Sequence, residues 1–272
     1  MKDYHIHTTF SDGHNDVSEI IETACKMGLD EISITDHDSI DAFFEIYSYG
    51  DINLKIFSGV ELDCNFNGFA IEILGYGFNI NDPALNDYLR FIQNQRNKRA
   101  EKYIEVVNER FKKEVITHKD VFSEKRKTIL KPHILRPLIE KGLFENYKKA
   151  KEFIAAAADL PLERIEAKAA IEMLHNAGGK AFLAHPGVYD FERNFVSEMI
   201  MFLKKLGIDG IEFYYPYFNM RDERYASQEA VDDFYRYLLP LVKDLEISQG
   251  SDSHSVVELD SLWNAKNKWA VM

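Results

Sequence analysis

The chain has 272 residues, 46% apolar and 29% charged, with a formal charge of −12 from 33 basic and 45 acidic side chains. That length holds one large α/β domain, or one domain plus an insert. The acidic balance argues against broad binding to long nucleic acid, and no apolar run approaches the ~20 residues of a membrane span.

Seven short apolar runs read as strands and helical patterns lie between most of them. Residues 2–7 come first, with no signal-peptide pattern ahead of them. Residues 16–28 carry Val17, Ile20, Ile21, Ala24 and Met27 at helical spacing, ended by Gly28. Strands follow at 30–35, 55–61 and 70–76. Residues 81–165 then break the alternation and read as helices over 84–113, 133–142 and 146–158. A helix at 163–177, a strand at 180–185, a helix at 192–206, a strand at 209–215, a helix at 222–239 and a strand at 244–250 complete the series. Trp263 and Trp269 are expected to help close the structure.

Strands alternating with helices imply a parallel sheet. Candidate ligands at the ends of many strands favour a closed barrel, whose C-terminal strand ends converge on one face, over an open sheet. The expected fold is α/β: a (β/α)7 barrel over 1–80 and 166–272, with a helical insertion at 81–165 as lid or substrate domain. Residues 81–165 hold 19 Lys and Arg against 13 Asp and Glu, whereas the remainder holds 14 against 32. A basic segment in an acidic body is either a device for anionic ligands or a solvated helical surface. Cys25 and Cys64 are the only cysteines, so a disulfide framework is not expected and a cytoplasmic location is.

Nine ligand-type side chains sit near the ends of these runs. His5 and His7 flank Ile6 on one strand face, and Asp12 lies in the turn Ser11-Asp12-Gly13. His37 follows Thr35-Asp36 at a strand end; the other reading there is a helix-capping segment with Asp38 or Ser39 as cap. Glu61 closes an apolar strand, where a lone carboxylate is costly to bury. Glu72 lies within Ala70-Ile71-Glu72-Ile73-Leu74, either as a ligand or as a salt-bridged edge residue. His185 precedes Pro186-Gly187, and Asp252 and His254 flank Ser253. Imidazoles with carboxylates bind borderline and hard divalent metals. In the insertion, Leu85, Leu89, Ile92, Ala100, Tyr103 and Val107 form an apolar stripe that Arg96 interrupts, with Arg99 beside it. Arg96 then faces either a substrate phosphate or a structural salt bridge to the barrel.

These motifs resemble the PHP (polymerase and histidinol phosphatase) domain phosphoesterases over nearly the whole chain. His5-Ile6-His7-Thr8, Thr35-Asp36-His37, Ala184-His185-Pro186 and Gly250-Ser251-Asp252-Ser253-His254 are similar to the family's four motifs, and Gly59-Val60-Glu61 to its bridging glutamate. The resemblance implies a distorted seven-stranded barrel. It implies three metals: one on His5, His7, Glu61 and Asp252, a second on Glu61, Glu72 and His185, a third on Asp12, His37 and His254. Glu72 stands where relatives carry histidine, which favours manganese or iron over zinc. Lys131-Pro132-His133, with Asp209-Gly210-Ile211-Glu212-Phe213-Tyr214-Tyr215, resembles the branch of nucleoside-monophosphate phosphoesterases and short-RNA 5′→3′ exonucleases, with Lys131 replacing that branch's arginine.

The expected activity is hydrolysis of a nucleotide or short-oligonucleotide phosphate ester by a metal-bridging hydroxide, with two to three ions of manganese, iron or zinc. Glu61 and His185 are the candidate catalytic groups; Arg96, Arg99, Lys131 and His133 are the candidate phosphate groups. A histidinol-phosphate phosphatase and a non-catalytic metal-binding protein are the alternatives.

Overall fold

The computed structural model describes residues 1–46, 53–158, 160–189, 191–219 and 223–264. Its elements run β1 (Lys2–Ile6), α1 (Val17–Met27), β2 (Glu31–Ile34), α2 (Ala42–Ile46), β3 (Lys55–Phe57), β4 (Gly59–Phe66), β5 (Phe69–Tyr76), α3 (Pro83–Phe111), α4 (His118–Val121), α5 (Lys131–Glu140) and α6 (Tyr147–Ala157). The chain continues with β6 (Ile165–Glu166), α7 (Ala167–Asn176), β7 (Lys180–Leu183), α8 (Arg193–Lys205), β8 (Gly210–Tyr214), α9 (Gln228–Leu238), β9 (Glu246–Gln249) and α10 (Val256–Asn264).

The strands form a three-stranded sheet, β1-β2-β3, and a six-stranded sheet, β6-β4-β5-β7-β8-β9. Isolated parallel bridges join them at two seams, Ile6 to Ser253 and His37 to Glu61. Since β3 runs on into β4 through Ser58, the ring counts seven staves and is a distorted α/β barrel. The irregular seams matter chemically, because both place ligand-type residues.

One strand departs from the parallel expectation. β5 is antiparallel to both β4 and β7. The cause is local: Phe66 pairs with Phe69 across Asn67-Gly68, both at positive φ (51° and 88°). Asn-Gly in a two-residue loop favours a tight hairpin. Strand reading at 55–61 and 70–76 stopped short of this turn. As a result Glu72 lies opposite Asp63 and beside Glu61 on the inward face.

The other elements follow their local chemistry. In α1, Asp16 accepts from the Glu19 N–H at 3.1 Å while Glu19 accepts from the Asp16 N–H at 3.0 Å, a reciprocal cap, and Gly28 ends the helix at φ 70°. The helix expected at 163–177 begins later because Ile165–Glu166 pairs with β4. The helix expected at 222–239 starts at Gln228, after a 3-10 turn at Glu223–Tyr225. α2, α4 and α10 were not anticipated. Trp263 on α10 donates from Nε1 to Asp3 Oδ2 at 2.7 Å, tying the end of the described chain to β1; Trp269 lies outside the described residues.

One apolar core joins sheet and helices, with Ile6, Ile32, Val60, Ile73, Ile171, Leu183 and Ile211 fully or almost fully buried; each such side chain contributes about 1.5–3 kcal/mol. A second cluster around Ala100, Tyr103, Val107, Ile134 and Ile154 belongs to α3–α6. α3 spans both: 29 residues make it about 43 Å long, with Leu85 and Leu89 in the first core and Tyr103 and Val107 in the second.

Candidate metal centre

The nine ligand-type residues come together. His5 and His7 stand at the end of β1, with Asp12 in the loop beyond it. His37 follows β2, Glu61 and Glu72 come from the hairpin, and His185 follows β7. Asp252 and His254 follow β9. At the centre, His5 Nε2 and His7 Nε2 are 3.1 Å apart. Glu61 Oε2 is 3.3 Å from each, and Asp252 Oδ1 is 3.4 and 3.0 Å from them. Ligand atoms on one tetrahedral ion with bonds near 2.1 Å lie about 3.4 Å apart, so the His5, His7 and Glu61 trio matches a single cation, with Asp252 beside both imidazoles.

Two further groups adjoin it. His185 Nε2 is 3.1 Å from Glu61 Oε1 and 3.4 Å from Glu72 Oε2. Asp12 Oδ1 lies 3.4 Å from His254 Nε2 and 4.0 Å from His37 Nε2. His37 spans the two, since its Nδ1 is 3.0 Å from Glu61 Oε2. The rings are close enough to stack, with His7 4.7 Å from His37 and 4.4 Å from His254 between centroids.

Among the described residues, Asp12 Oδ1, His37 Nδ1, Glu61 Oε2 and His185 Nδ1 are buried without a hydrogen-bond partner. Buried polar atoms are normally satisfied, and four orphans in one cluster of carboxylates and imidazoles fit divalent cations. The electrostatics agree. Burial alone pushes Asp12 and Glu61 up, yet the surrounding imidazoles outweigh it and hold both well below the carboxylate range. Burial pushes His5 and His7 down, but Glu212, Glu61 and Asp252 hold His5, and Asp252 and Glu61 hold His7, well above the usual imidazole value. His185 is raised to about 9, its Glu61 and Glu72 neighbours overcoming burial. Glu72 is pushed up to about 7 by burial and then by Glu61. Without metal, protons on the imidazoles neutralise the carboxylates; ligation replaces those protons.

The imidazoles are aimed by a surrounding shell. His5 Nδ1 bonds Glu212 Oε1 at 3.0 Å, while the other Glu212 oxygen accepts from the His185 main-chain N–H at 3.0 Å. His254 Nδ1 bonds the Asp252 carbonyl at 2.9 Å. His7 Nδ1 lies 3.4 Å from Ser11 Oγ, which donates to buried Asp36 at 2.5 Å. These bonds leave Nε2 of His5, His7 and His254 for a metal. Glu212 is near enough to His5 and His185 to ligate, but both its oxygens are committed to positioning. Gly250 permits this packing, because a Cβ there would sit 2.2 Å from His5 Cβ and 2.5 Å from Glu212 Oε1. Backbone strain collects here too: Asp38, His185 and Asp252 hold positive φ of 48°, 22° and 52°.

Glu212 and Asp36 were missed as site residues although their segments had been singled out. The available signal was a charged residue inside an apolar strand, Gly210-Ile211-Glu212-Phe213, which needs a partner when buried.

The four candidate phosphate groups separate. Arg96 is 3% exposed; its Nε and Nη2 donate to Asp38 at 2.8 and 2.5 Å, and Nη2 also to Asp63 at 3.0 Å. Two carboxylates already neutralise it, so the salt-bridge alternative replaces the phosphate expectation. Arg99 and Lys131 line a small cleft with Arg96 and Tyr103. Lys131 is held down by burial and by Arg99, Lys151 and Arg164, none of them at the metal centre. Only His133 reaches the centre's edge: it is 3% exposed and its charge feels Arg126 and Asp12.

Residues 3–173 match the PHP domain family. The chain is 28% identical to a 5′-3′ exoribonuclease of Haemophilus influenzae over 93% of its length and 89% of that protein. It is 23% identical to a 3′,5′-nucleoside bisphosphate phosphatase of Chromobacterium violaceum, covering 93% and 87%. A C. violaceum structure solved as an amidohydrolase with bound sulfate has the same fold, with a TM-score of 0.76 at 22% identity over 93% of this chain and 87% of that one. The matched residues include His5, His7, Asp12, His37, Glu61 and Glu72, six of the nine that converge in space; the chain belongs to the PHP domain family and is a metal-dependent phosphoesterase, a hydrolase of phosphoric ester bonds.

Proposed function

We propose that the chain hydrolyses a phosphate ester of a nucleotide or short oligonucleotide, using two or three divalent ions. The observation that carries the metal reading is a pair of carboxylate oxygens, Asp12 Oδ1 and Glu61 Oε2, buried among imidazoles without a hydrogen-bond partner. The substrate class rests on the exoribonuclease and bisphosphate phosphatase relatives and on the basic segment 81–165.

His5, His7, Glu61 and Asp252 would hold one ion, Glu61, Glu72 and His185 a second, and Asp12, His37 and His254 a third. Bound there, the ions would supply an activated water nucleophile and neutralise phosphoryl charge. Glu61, reaching His5, His7, His37 and His185, sets the spacing between sites. His185 turns Nε2 to Glu61 and leaves Nδ1 unbonded, so it can hold a proton there for the departing oxygen. Glu72 supplies a second carboxylate where relatives use histidine, favouring manganese or iron. Residues 81–165 act as the substrate domain, with His133 facing the centre and Arg99 and Lys131 steering anions from further out. Cys25 is exposed and Cys64 buried, both unpaired, which favours the cytoplasm. No helix among the described residues is long and apolar enough to cross a membrane.

The test is turnover with manganese on AMP, a 3′,5′-bisphosphate nucleotide, a short 5′-phosphorylated RNA and histidinol phosphate. Cleavage of the nucleotides or RNA is expected. Cleavage of histidinol phosphate alone would overturn the substrate assignment, and no cleavage by metal-loaded protein would overturn the activity.

A further inference from the structure

The chain leaves β7 through Ala184, His185, Pro186 and Gly187. His185 holds a φ of 22°, on the positive side that a residue with a Cβ rarely takes. It also precedes Pro186, whose ring narrows the backbone choices of its neighbour. The turn closes with the Val188 N–H on the His185 carbonyl at 2.9 Å, with Pro186 in its second position. Local chemistry thus supplies the turn but not the strained residue at its head. Such strain persists only where the surroundings hold it.

We infer that Tyr189, Tyr217 and Tyr225 are positioning residues, which clamp the main chain on both sides of His185 and fix its imidazole in the second ligand set. The inference rests on the metal reading of His185 given above. Before His185, Tyr189 Oη accepts from the Glu72 N–H at 2.8 Å and donates to the Ala184 carbonyl at 3.2 Å. One hydroxyl thereby ties the backbone of Glu72 to the residue next to His185. After His185, Tyr217 Oη accepts from the Gly187 N–H at 3.1 Å, and Tyr225 Oη donates to the Gly187 carbonyl at 2.9 Å. Both polar groups of Gly187 are thus held by phenols that lie 30 and 38 residues further along the chain.

Packing leaves the clamp little slack. A Cβ on Gly187 would lie 2.4 Å from Tyr225 Oη, 2.6 Å from the Tyr217 ring and 2.7 Å from the Phe234 ring. Tyr217 and Tyr225 are buried, and their rings stack 4.8 Å apart. Tyr217 also lies against Tyr215, at 4.9 Å between centroids. Tyr215 in turn stands edge-on to the His185 ring at 5.3 Å and donates from Oη to Asp252 Oδ2 at 2.9 Å. The tyrosines therefore back the metal centre from one side, and they do so rigidly. Phenylalanine would fill the same space. What the hydroxyls add is a set of directed main-chain bonds around one strained ligand residue.

The experiment compares wild type with Tyr217→Phe, Tyr225→Phe and Gly187→Ala. Tyr237→Phe is the control, since its hydroxyl bonds Ser197 and the Arg193 carbonyl instead. Three quantities are read: hydrogen exchange across residues 184–189 in metal-free protein, manganese binding by competition with a chelator, and kcat and KM on an ester that wild type cleaves. Tyr217→Phe and Tyr225→Phe should speed exchange in that stretch. They should weaken one manganese equivalent by about tenfold or more while the others hold, and lower kcat with KM unchanged. Gly187→Ala should do the same more strongly, and Tyr237→Phe should do none of it. Phe variants that lose only global stability, with exchange across 184–189 and manganese binding at wild-type levels, would mean that the tyrosines simply pack, and the inference is overturned. If wild type binds no manganese, the metal reading of His185 fails, and the exchange result alone decides whether the hydroxyls hold the turn.

Discussion

Two clusters of buried charge sit side by side on the same strands and are neutralised in opposite ways. Asp38 follows His37 directly, and Asp63 lies two residues beyond Glu61 in β4. Around Asp38 and Asp63 the charges close on themselves, for Arg96 bonds both and Arg164 donates to Asp63 at 2.5 Å. Two carboxylates meet two guanidiniums and no cation is lacking. Around Glu61 and Asp12 only imidazoles face the carboxylates, and four polar atoms have no hydrogen-bond partner. Buried charge therefore does not itself mark a functional site. What marks it is charge met only by imidazoles whose protons a metal can replace.

The contrast can be broken most sharply at the open cluster. His5→Ala or Asp252→Ala should abolish turnover while the barrel stays folded, because each removes a ligand shared by the central quartet. Retained full turnover with native circular dichroism would refute the metal assignment. The closed cluster should behave in reverse. Arg96→Ala strands buried Asp38 and leaves Asp63 with Arg164 alone, and should cost about 3–5 kcal/mol in denaturant unfolding, with KM for substrate little changed in the folded fraction. A large KM effect at unaltered stability would return Arg96 to phosphate binding.

Glu212→Gln tests the shell between the two extremes. It keeps the shape but weakens the hold on His5, so metal affinity should fall by about 10–100-fold, measured by competition with a chelator. Unchanged affinity would reduce Glu212 to packing.

The smallest effect is on pH. His185 stands at about 9 in the metal-free fold, above its unfolded value of 6.5. Its contribution to stability is thus fully present below pH ~6.5 and is lost as pH rises through about 9. Glu72, raised to about 7, likewise loses its contribution as pH rises from its unfolded value through 7. Metal-free protein should therefore melt lower at pH 9 than at pH 6.5, and the gain on adding manganese should widen over that window. A gain independent of pH would mean that ligation displaces no protons.

The positions of the nine ligand types, the seven strands and the apolar stripe of α3 were all legible in the chain, because each is a local pattern. Two imidazoles at i and i+2 share a strand face, and alternation marks a strand wherever its neighbours lie. The Asn67-Gly68 turn was legible too, yet the strands were read too short to meet across it.

Sequence by itself therefore determined the family, the metal-binding chemistry and the staves of the barrel. Only the tertiary structure decided the direction of β5, the burial of Arg96 between Asp38 and Asp63, and the contacts of Glu212 with His5 and the His185 main chain. Each of these depends on a partner far away in the chain, as when Glu212 meets His5 across 207 residues. Local periodicity specifies which face a side chain takes, but the charge it meets there is supplied by another element, and that is settled only when the barrel closes.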